Sequence, residues 1–340
     1  MKTNLFARLV SNFLTKHLPN VKGCSDNTIE SYKDTFKLML RFCASKKQVQ
    51  PESMTIELFQ KELVLEFLQW LEIERNCIIS TRNQRLSTLK SFAKYVLSEQ
   101  PSYFMQMTEI LSIPLKKSPK SLVDYLEVEQ LKLLLSLPNK NTMDGRRDLT
   151  LISFMFETGA RVQEVCDTKV RNLRLDGIAH VVLTGKGKKT RQVPIVKPFT
   201  QLLRQYLRSN GLNHPQYYDN FLFFNRMGNK LTRAGVAYIL NKYFIIAKGK
   251  DPTMPSSISP HQLRHSKAVS LLENGVNLVY LRDFLGHSTI QTTEIYARIS
   301  GKLKEEALLG ASTLIVEEDL LKVTPSRSNE LITLLNSIGR

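Results

Sequence analysis

The sequence predicts a mainly α-helical protein of two domains, the second a mixed α+β domain with a small antiparallel sheet. Three observations carry this reading. Apolar residues recur at helical spacing through the first 110 residues, a proline- and lysine-rich stretch then breaks the pattern, and two short strand-like runs beyond it flank a glycine-rich turn. A length of 340 residues also suits two domains of roughly 100–200 residues each.

Residues 1–111 read as a helical domain. From Asp26 to Cys43, the residues Ile29, Tyr32, Phe36, Met39, Leu40 and Cys43 fall on one stripe behind an N-cap at Asp26 or Asn27. Leu58–Ile73 forms a second helical pattern. Ser80–Leu97 forms a third, with Leu86, Leu89, Phe92, Ala93 and Val96 on one face and Arg82, Arg85, Lys90 and Lys94 assigned to the other. A basic helix face is ordinarily a solvated surface. On a chain in which Lys and Arg outnumber Asp and Glu by 48 to 31, those four become candidates for facing DNA. Residues 112–123, SIPLKKSPKSLV, have no helical period and read as an exposed, extended linker, with Lys116 and Lys117 as further DNA-binding candidates.

The second domain is expected over 124–310. Leu126 opens one helix and Arg147–Glu157 lies in a longer one. Ala179–Thr184 and Arg191–Val196 are strands joined by the turn Gly185-Lys-Gly-Lys-Lys-Thr190, whose Lys188 and Lys189 join the DNA-binding candidates. Phe221–Phe224 reads as another short strand, and Thr232–Gly310 as mostly helix. Strands and helices do not alternate, so a Rossmann sheet is not expected. In the tail, 311–340, two amphipathic pieces flank Pro325. Leu331, Ile332, Leu334, Leu335 and Ile338 should bury on this chain or on a neighbour.

Lys and Arg number 48 against 31 Asp and Glu, a formal charge of +17. The excess occurs on both sides of residue 117, which suits two domains that both touch a polyanion, most simply nucleic acid. A ribosome-associated or merely soluble basic protein is the plainer alternative. Cys24, Cys43, Cys77 and Cys166 are scattered with no C-x-x-C pair, arguing for free thiols in a reducing compartment and against a zinc knuckle. No apolar run approaches the ~18–20 residues of a membrane span. The N-terminus lacks a signal-peptide pattern. A cytoplasmic bacterial protein with no membrane partner is expected.

Three segments carry chemistry. In Glu157-Thr-Gly-Ala-Arg-Val-Gln-Glu, one helix should end near Gly159 and another begin near Arg161, leaving an arginine at a turn suited to phosphate. In Ser259-Pro-His-Gln-Leu-Arg-His, His261 and Arg264 are three apart and share a helix face. In Leu285-Gly-His-Ser, His287 precedes Tyr296 by nine residues. Two arginines can grip the oxygens of one phosphodiester, and histidines can bond to it or move protons. A tyrosine hydroxyl can attack phosphorus if cations offset its high pKa. Lys186 could protonate a leaving oxygen. Each piece alone has an ordinary explanation: a surface helix face, a helix cap, a core aromatic, a solvated hairpin. The hairpin lacks the P-loop spacing, so ATP binding is not supported. Together and in this order they are specific.

The set closely resembles the tyrosine recombinase (phage integrase) family, which includes the Xer, Cre and lambda integrase enzymes. Thr-Gly-Ala-Arg matches at Arg161, the hairpin lysine at Lys186, His-x-Leu-Arg-His at His261 and Arg264, Leu-Gly-His-Ser at His287, and the tyrosine at Tyr296. Glu164 matches the family's supporting acidic position. None of the six departs from the active pattern, and the motifs cover roughly 150–300. Residues 1–110 resemble the family's core-binding domain in size, helicity and position.

The resemblance implies a C-shaped clamp on duplex DNA. Tyr296 would attack the scissile phosphate, forming a 3′-phosphotyrosyl link and freeing a 5′-hydroxyl. Arg161 and Arg264 would clamp the phosphate, Lys186 would serve as general acid, His261 and His287 would assist, and Glu164 would hold its neighbours. No metal, ATP or other cofactor is implied. The family acts as a tetramer on two specific DNA sites, in some cases with a partner recombinase or accessory protein. Its members often pack a C-terminal segment on the next protomer, for which Ser328–Ile338, then Gly301–Leu309, are candidates.

Two rival functions share part of this pattern: a type IB topoisomerase relaxing DNA as a monomer, and a regulator that binds DNA without cutting. A metal-dependent nuclease would need clustered carboxylates. Chromosome-dimer resolution, phage integration and movement of a transposon or conjugative element all stay open, with a mobile-element recombinase or transposase the expected role; the absence of an arm-binding domain before the helical one argues against a lambda-type integrase.

Overall fold

A computed structural model describes residues 4–117, 124–185, 187 and 189–299. The chain divides into two compact units between Ser121 and Leu122.

The first unit is helical: α1 (Leu5–Asn12), α2 (Asp26–Lys46), α3 (Lys61–Ile73), α4 (Ile79–Glu99) and α5 (Phe104–Ser112). A wide π-helical segment, Phe13–Val21, continues α1. The N-cap of α2 is Ser25, one residue before the expected position, and Asp26 falls in the first turn, where its charge suits the helix dipole. The second helical pattern begins at Lys61 rather than Leu58, and Leu58 is exposed.

The apolar stripe of α4 is buried as expected, with Leu86, Leu89, Phe92, Ala93 and Val96 all at 0% exposure. Its basic face is not as expected. Arg82 is buried at 4% because it stands one helical repeat before Leu86 on the same stripe. Arg85 turns Nη1 to the Ser31 carbonyl and Thr35 Oγ1 of α2, at 2.8 and 3.0 Å. These two arginines are taken up by the packing of the unit, and Lys90 and Lys94 are the pair that reaches solvent.

The start of the expected linker also belongs to this unit. Ile113 is buried in its core, and Lys116 exchanges two hydrogen bonds with the Asn83 side chain while its Nζ pairs with Glu72 at 2.8 Å. Lys116 is therefore engaged within the unit, whereas Lys117 is exposed. Residues 118–123 lie outside the described residues.

In the second unit, α6 (Val128–Ser136), α7 (Met143–Thr158) and α8 (Val162–Asp167) precede the sheet. Strands β1 (Leu173–Arg174), β2 (His180–Thr184) and β3 (Thr190–Pro194) form an antiparallel sheet in the order β1-β2-β3. Val181 faces Val193 across it, and Leu183 faces Arg191. Strand β1 escaped the sequence reading because two residues carry no alternation. Phe221–Phe224 forms isolated bridges, Lys169 to Phe221 and Phe224 to Lys230, rather than a strand. Helices α9 (Lys197–Ser209), α10 (Arg233–Lys250), α11 (Pro260–Glu273), α12 (Leu278–Leu285) and α13 (Gln291–Ile299) complete the unit. Tyr296 sits in a small satellite core with Ala268, Val269, Leu272, Leu281 and Leu285. No helix among the described residues is long and apolar enough to cross a membrane. The tail, 311–340, with both of its amphipathic pieces, and the alternative segment Gly301–Leu309 lie outside the described residues.

Phe92 is the hub of the first unit, in edge contact with Phe6, Phe13, Phe36 and Phe59 at centroid distances of 5.1–5.9 Å. Phe92→Ala is expected to cost roughly 3–5 kcal/mol, the range for emptying a buried aromatic site. Urea unfolding of the whole chain would check this, and a loss below about 1 kcal/mol would show that the cluster collapses around the gap.

Candidate active site

The site is built where helix ends converge. Helix α7 stops at Gly159, whose φ of 55° is left-handed, and α12 stops at Gly286, with φ 65°. A Cβ on Gly159 would come within 3.1 Å of the Leu285 side chain, so the two ends pack closely. Arg264 on α11 is 1% exposed and joins them: Nη1 donates to the Gly159 carbonyl at 2.7 Å and Nη2 to the Leu285 carbonyl at 2.6 Å. A cation at two helix C-termini meets the negative ends of both dipoles. Burial, then Arg161 and Arg191, lower the Arg264 pKa to about 10, which leaves it charged at neutral pH.

Arg161 is the N-cap of α8, and Glu164 closes the capping box by accepting its backbone N–H at 2.8 Å. The Arg161 side chain donates to Glu164 Oε1 at 3.1 Å and to the Gly286 carbonyl at 3.2 Å. Glu164 is also gripped from the sheet. Arg191 donates Nη1 and Nη2 to its two oxygens at 2.9 and 2.8 Å, and Nε to the Phe284 carbonyl at 2.8 Å. Although burial opposes ionisation, these cations hold the Glu164 carboxyl below its usual range. Two glycines fit around the pair: a Cβ on Gly185 would lie 3.0 Å from Glu164 Oε1, and one on Gly286 would lie 3.1 Å from Arg191.

His261 is at the exposed start of α11, and His265 lies one turn further, with ring centroids 5.4 Å apart. His265 Nδ1 is 2.8 Å from Tyr296 Oη. His287 bonds through Nδ1 to Thr293 Oγ1 at 2.9 Å and lies nearly parallel to the Tyr296 ring, 6.4 Å away. Burial, then His261 and Arg264, lower the His265 pKa to about 4. Burial, then Arg264 and other cations, do the same to His287. Both rings are neutral at pH 7. Burial raises the Tyr296 pKa, and Arg264 and Arg161 offset part of that rise.

The structure thus gathers Arg161, Glu164, His261, Arg264, His287 and Tyr296 from helices and the turns between them. Lys186 and Lys188 lie outside the described residues, and Lys189 is exposed beyond the hairpin's Gly185. Sequence reasoning missed Arg191 and His265. Period-two alternation from Val193 places Arg191 on the inner face of β3, a signal available in the sequence. His265 was visible only as the last letter of its motif.

A second constellation lies in the first unit. Lys22, Lys90 and Lys94 line a cavity of about 350 Å³ with Ser87 and Ser91, and Lys22 Nζ donates to Ser91 Oγ at 3.0 Å. Partial burial, then Lys94 and Arg82, lower the Lys90 pKa. Lys22 could not be joined to α4 from sequence, being 69 residues from Ser91.

Comparison with known proteins gives the family. Residues 124–302 match the phage integrase family, and residues 11–102 match the phage integrase N-terminal SAM-like domain. The chain is 33% identical over 308 residues to an integrase/recombinase, y4rC, of Sinorhizobium fredii, covering 90% of this chain and 91% of that one. It is 30% identical over 304 residues to the tyrosine recombinase XerC of Chlamydia caviae, covering 85% and 94%. The Tn1549 transposon integrase, solved with transposon right end DNA, shares the fold with a TM-score of 0.68 at 17% identity, covering 89% of this chain and 99% of that one. The chain belongs to the phage integrase family. It is a tyrosine recombinase, an enzyme that cuts and rejoins DNA strands at specific sites.

The two half-buried histidines, His265 and His287, make stability depend on pH. Their pKa values are about 4 in the folded chain against 6.5 unfolded, so between those values the unfolded chain binds protons that the folded one does not. The melting temperature is expected to fall as pH drops from 6.5 towards 4. The fall should be shallower in His287→Gln, and an equal slope in that variant would remove His287 from the effect.

Proposed function

We propose that Tyr296 is the nucleophile and forms a 3′-phosphotyrosyl link with the cleaved strand. The reading rests on one observation: a buried tyrosine hydroxyl bonded to a neutral imidazole, with Arg161 and Arg264 acting on it electrostatically. In this scheme Arg161 and Arg264 hold the non-bridging oxygens and offset the charge that builds there. Lys186 protonates the leaving 5′-oxygen, and His261 and His287 add hydrogen bonds. Glu164, held by Arg191, positions Arg161. A 5′-hydroxyl of the partner strand then attacks the ester, whose bond energy replaces ATP.

We infer further that four copies assemble on two duplex sites, with residues Ser328–Ile338 joining neighbours. The biological role we assign is movement of a mobile element in a bacterium, at the nucleoid. Similarity to the Sinorhizobium fredii integrase/recombinase supports the integration part of this reading. The lysine cavity of the first unit is read as a seat for a backbone phosphate, since its ammonium groups gather around two hydroxyls.

Tyr296→Phe should bind DNA like the natural chain but form no covalent adduct with a nicked suicide duplex, in EDTA, on a denaturing gel. An adduct in that variant would refute the nucleophile. Replacing Lys22, Lys90 and Lys94 together by Ala should weaken binding on any duplex. The slope of log K against log salt should become shallower by about 2–3, near 0.9 for each backbone phosphate the protein no longer neutralises. An unchanged slope would remove the cavity from the interface.

A further inference from the structure

Attack by Tyr296 requires its hydroxyl proton to leave, and the site holds three imidazoles able to take it. Geometry separates them. His287 stands nearly parallel to the tyrosine ring, at 13°, and its Nδ1 is engaged by Thr293. Nitrogen lone pairs lie in the ring plane, so a stacked imidazole does not aim them at the facing ring. His261 lies beyond His265, at the exposed start of α11. Of the three, His265 has the described hydrogen bond to the reacting oxygen, 2.8 Å from Nδ1 to Oη. Its ring is tilted 51° to that of Tyr296.

We propose that His265 is the general base for Tyr296. The inference rests on the reading of Tyr296 as nucleophile. With the proton of His265 on Nε2, Nδ1 accepts the tyrosine O–H. As the Oη–P bond forms and the P–O5′ bond breaks, the tyrosine proton passes to Nδ1, and the leaving O5′ takes a proton from the general acid. In rejoining, the incoming 5′-hydroxyl gives its proton to that acid's conjugate base as the new P–O5′ bond forms, the P–Oη bond breaks, and His265 returns its proton to Oη. Protons balance over the cycle.

The surroundings also set when the base works. Arg264 and His261 on its own helix, and His287 and Tyr296 across from it, are the charged and titratable groups around His265. Burial first, then His261 and Arg264, disfavour an imidazolium at His265. A phosphodiester seated on Arg161 and Arg264 brings negative charge into the site and offsets the part of that penalty that Arg264 imposes. The base therefore gains strength once the scissile phosphate is in place, which protects the enzyme from an ionised, idle tyrosine.

The test is single-turnover adduct formation by the full chain on nicked suicide duplexes from the DNA flanking its gene. His265→Asn keeps a hydrogen-bond acceptor but cannot take a proton. It should bind DNA normally and form adduct roughly 100-fold more slowly or worse, the usual range for losing a general base. His265→Ala should be equally slow and should recover rate when imidazole is added, which a purely structural role would not produce. Thermal unfolding checks both variants, and either one that folds decides the matter. Adduct formation by His265→Asn at or above the natural rate would overturn the proposal, as would a folded, slow His265→Ala that imidazole does not speed. If Tyr296→Phe also formed adduct, the nucleophile reading itself would fail. If Tyr296→Phe were inert while His265→Asn stayed fast, only the general base would be lost.

Discussion

The carboxylate of Glu164, buried between Arg161 and Arg191, is the interaction on which the site depends. Three cations crowded into one low-dielectric place would repel one another, and Glu164 is the counter-charge that makes the crowding tolerable. It ties together three stretches of chain. Its own helix brings Arg161, β3 brings Arg191, and through Arg191 and Arg161 the end of α12 is held by its carbonyls. Removing one member of such a buried pair typically costs about 3–5 kcal/mol, because the remaining charge stays buried and unmatched.

Arg264 solves the same problem differently. It has no carboxylate partner among its described bonds, and it turns its guanidinium to the carbonyls that end α7 and α12. Those carbonyls carry the negative ends of the helix dipoles, so backbone dipoles add to the Glu164 carboxylate in offsetting its charge. A guanidinium has five N–H donors, more than these two carbonyls use, which leaves donors for an anion. The glycines at both helix ends are part of this arrangement, since their left-handed turns let the two ends approach.

Burial first, and the surplus of positive charge second, govern the histidines. Packed near Arg264 and sheltered from water, His265 and His287 cannot hold protons at neutral pH. As neutral rings they can each accept a hydrogen bond through one nitrogen. In the first unit a similar division appears. Arg82 and Arg85 are drawn inward among the helices, while Lys22, Lys90 and Lys94 stay at the surface.

Local patterns in the chain were enough to read the helical first unit, the apolar stripe of α4, the hairpin and the order of the chemical motifs. These depend on periodicity and on residue types at short spacing, which a linear reading captures. That reading misjudged Arg82 and Arg85, because which polar residue of a helix faces inward depends on what packs there. Three-dimensional packing decided that Arg191 would clasp Glu164 from 27 residues away, that Lys22 would meet α4, and that His265 rather than His287 would bond to Tyr296. Each of those contacts joins segments whose approach is set by packing of the core, and a side chain's partner across such a distance leaves no mark on its own neighbourhood in the chain.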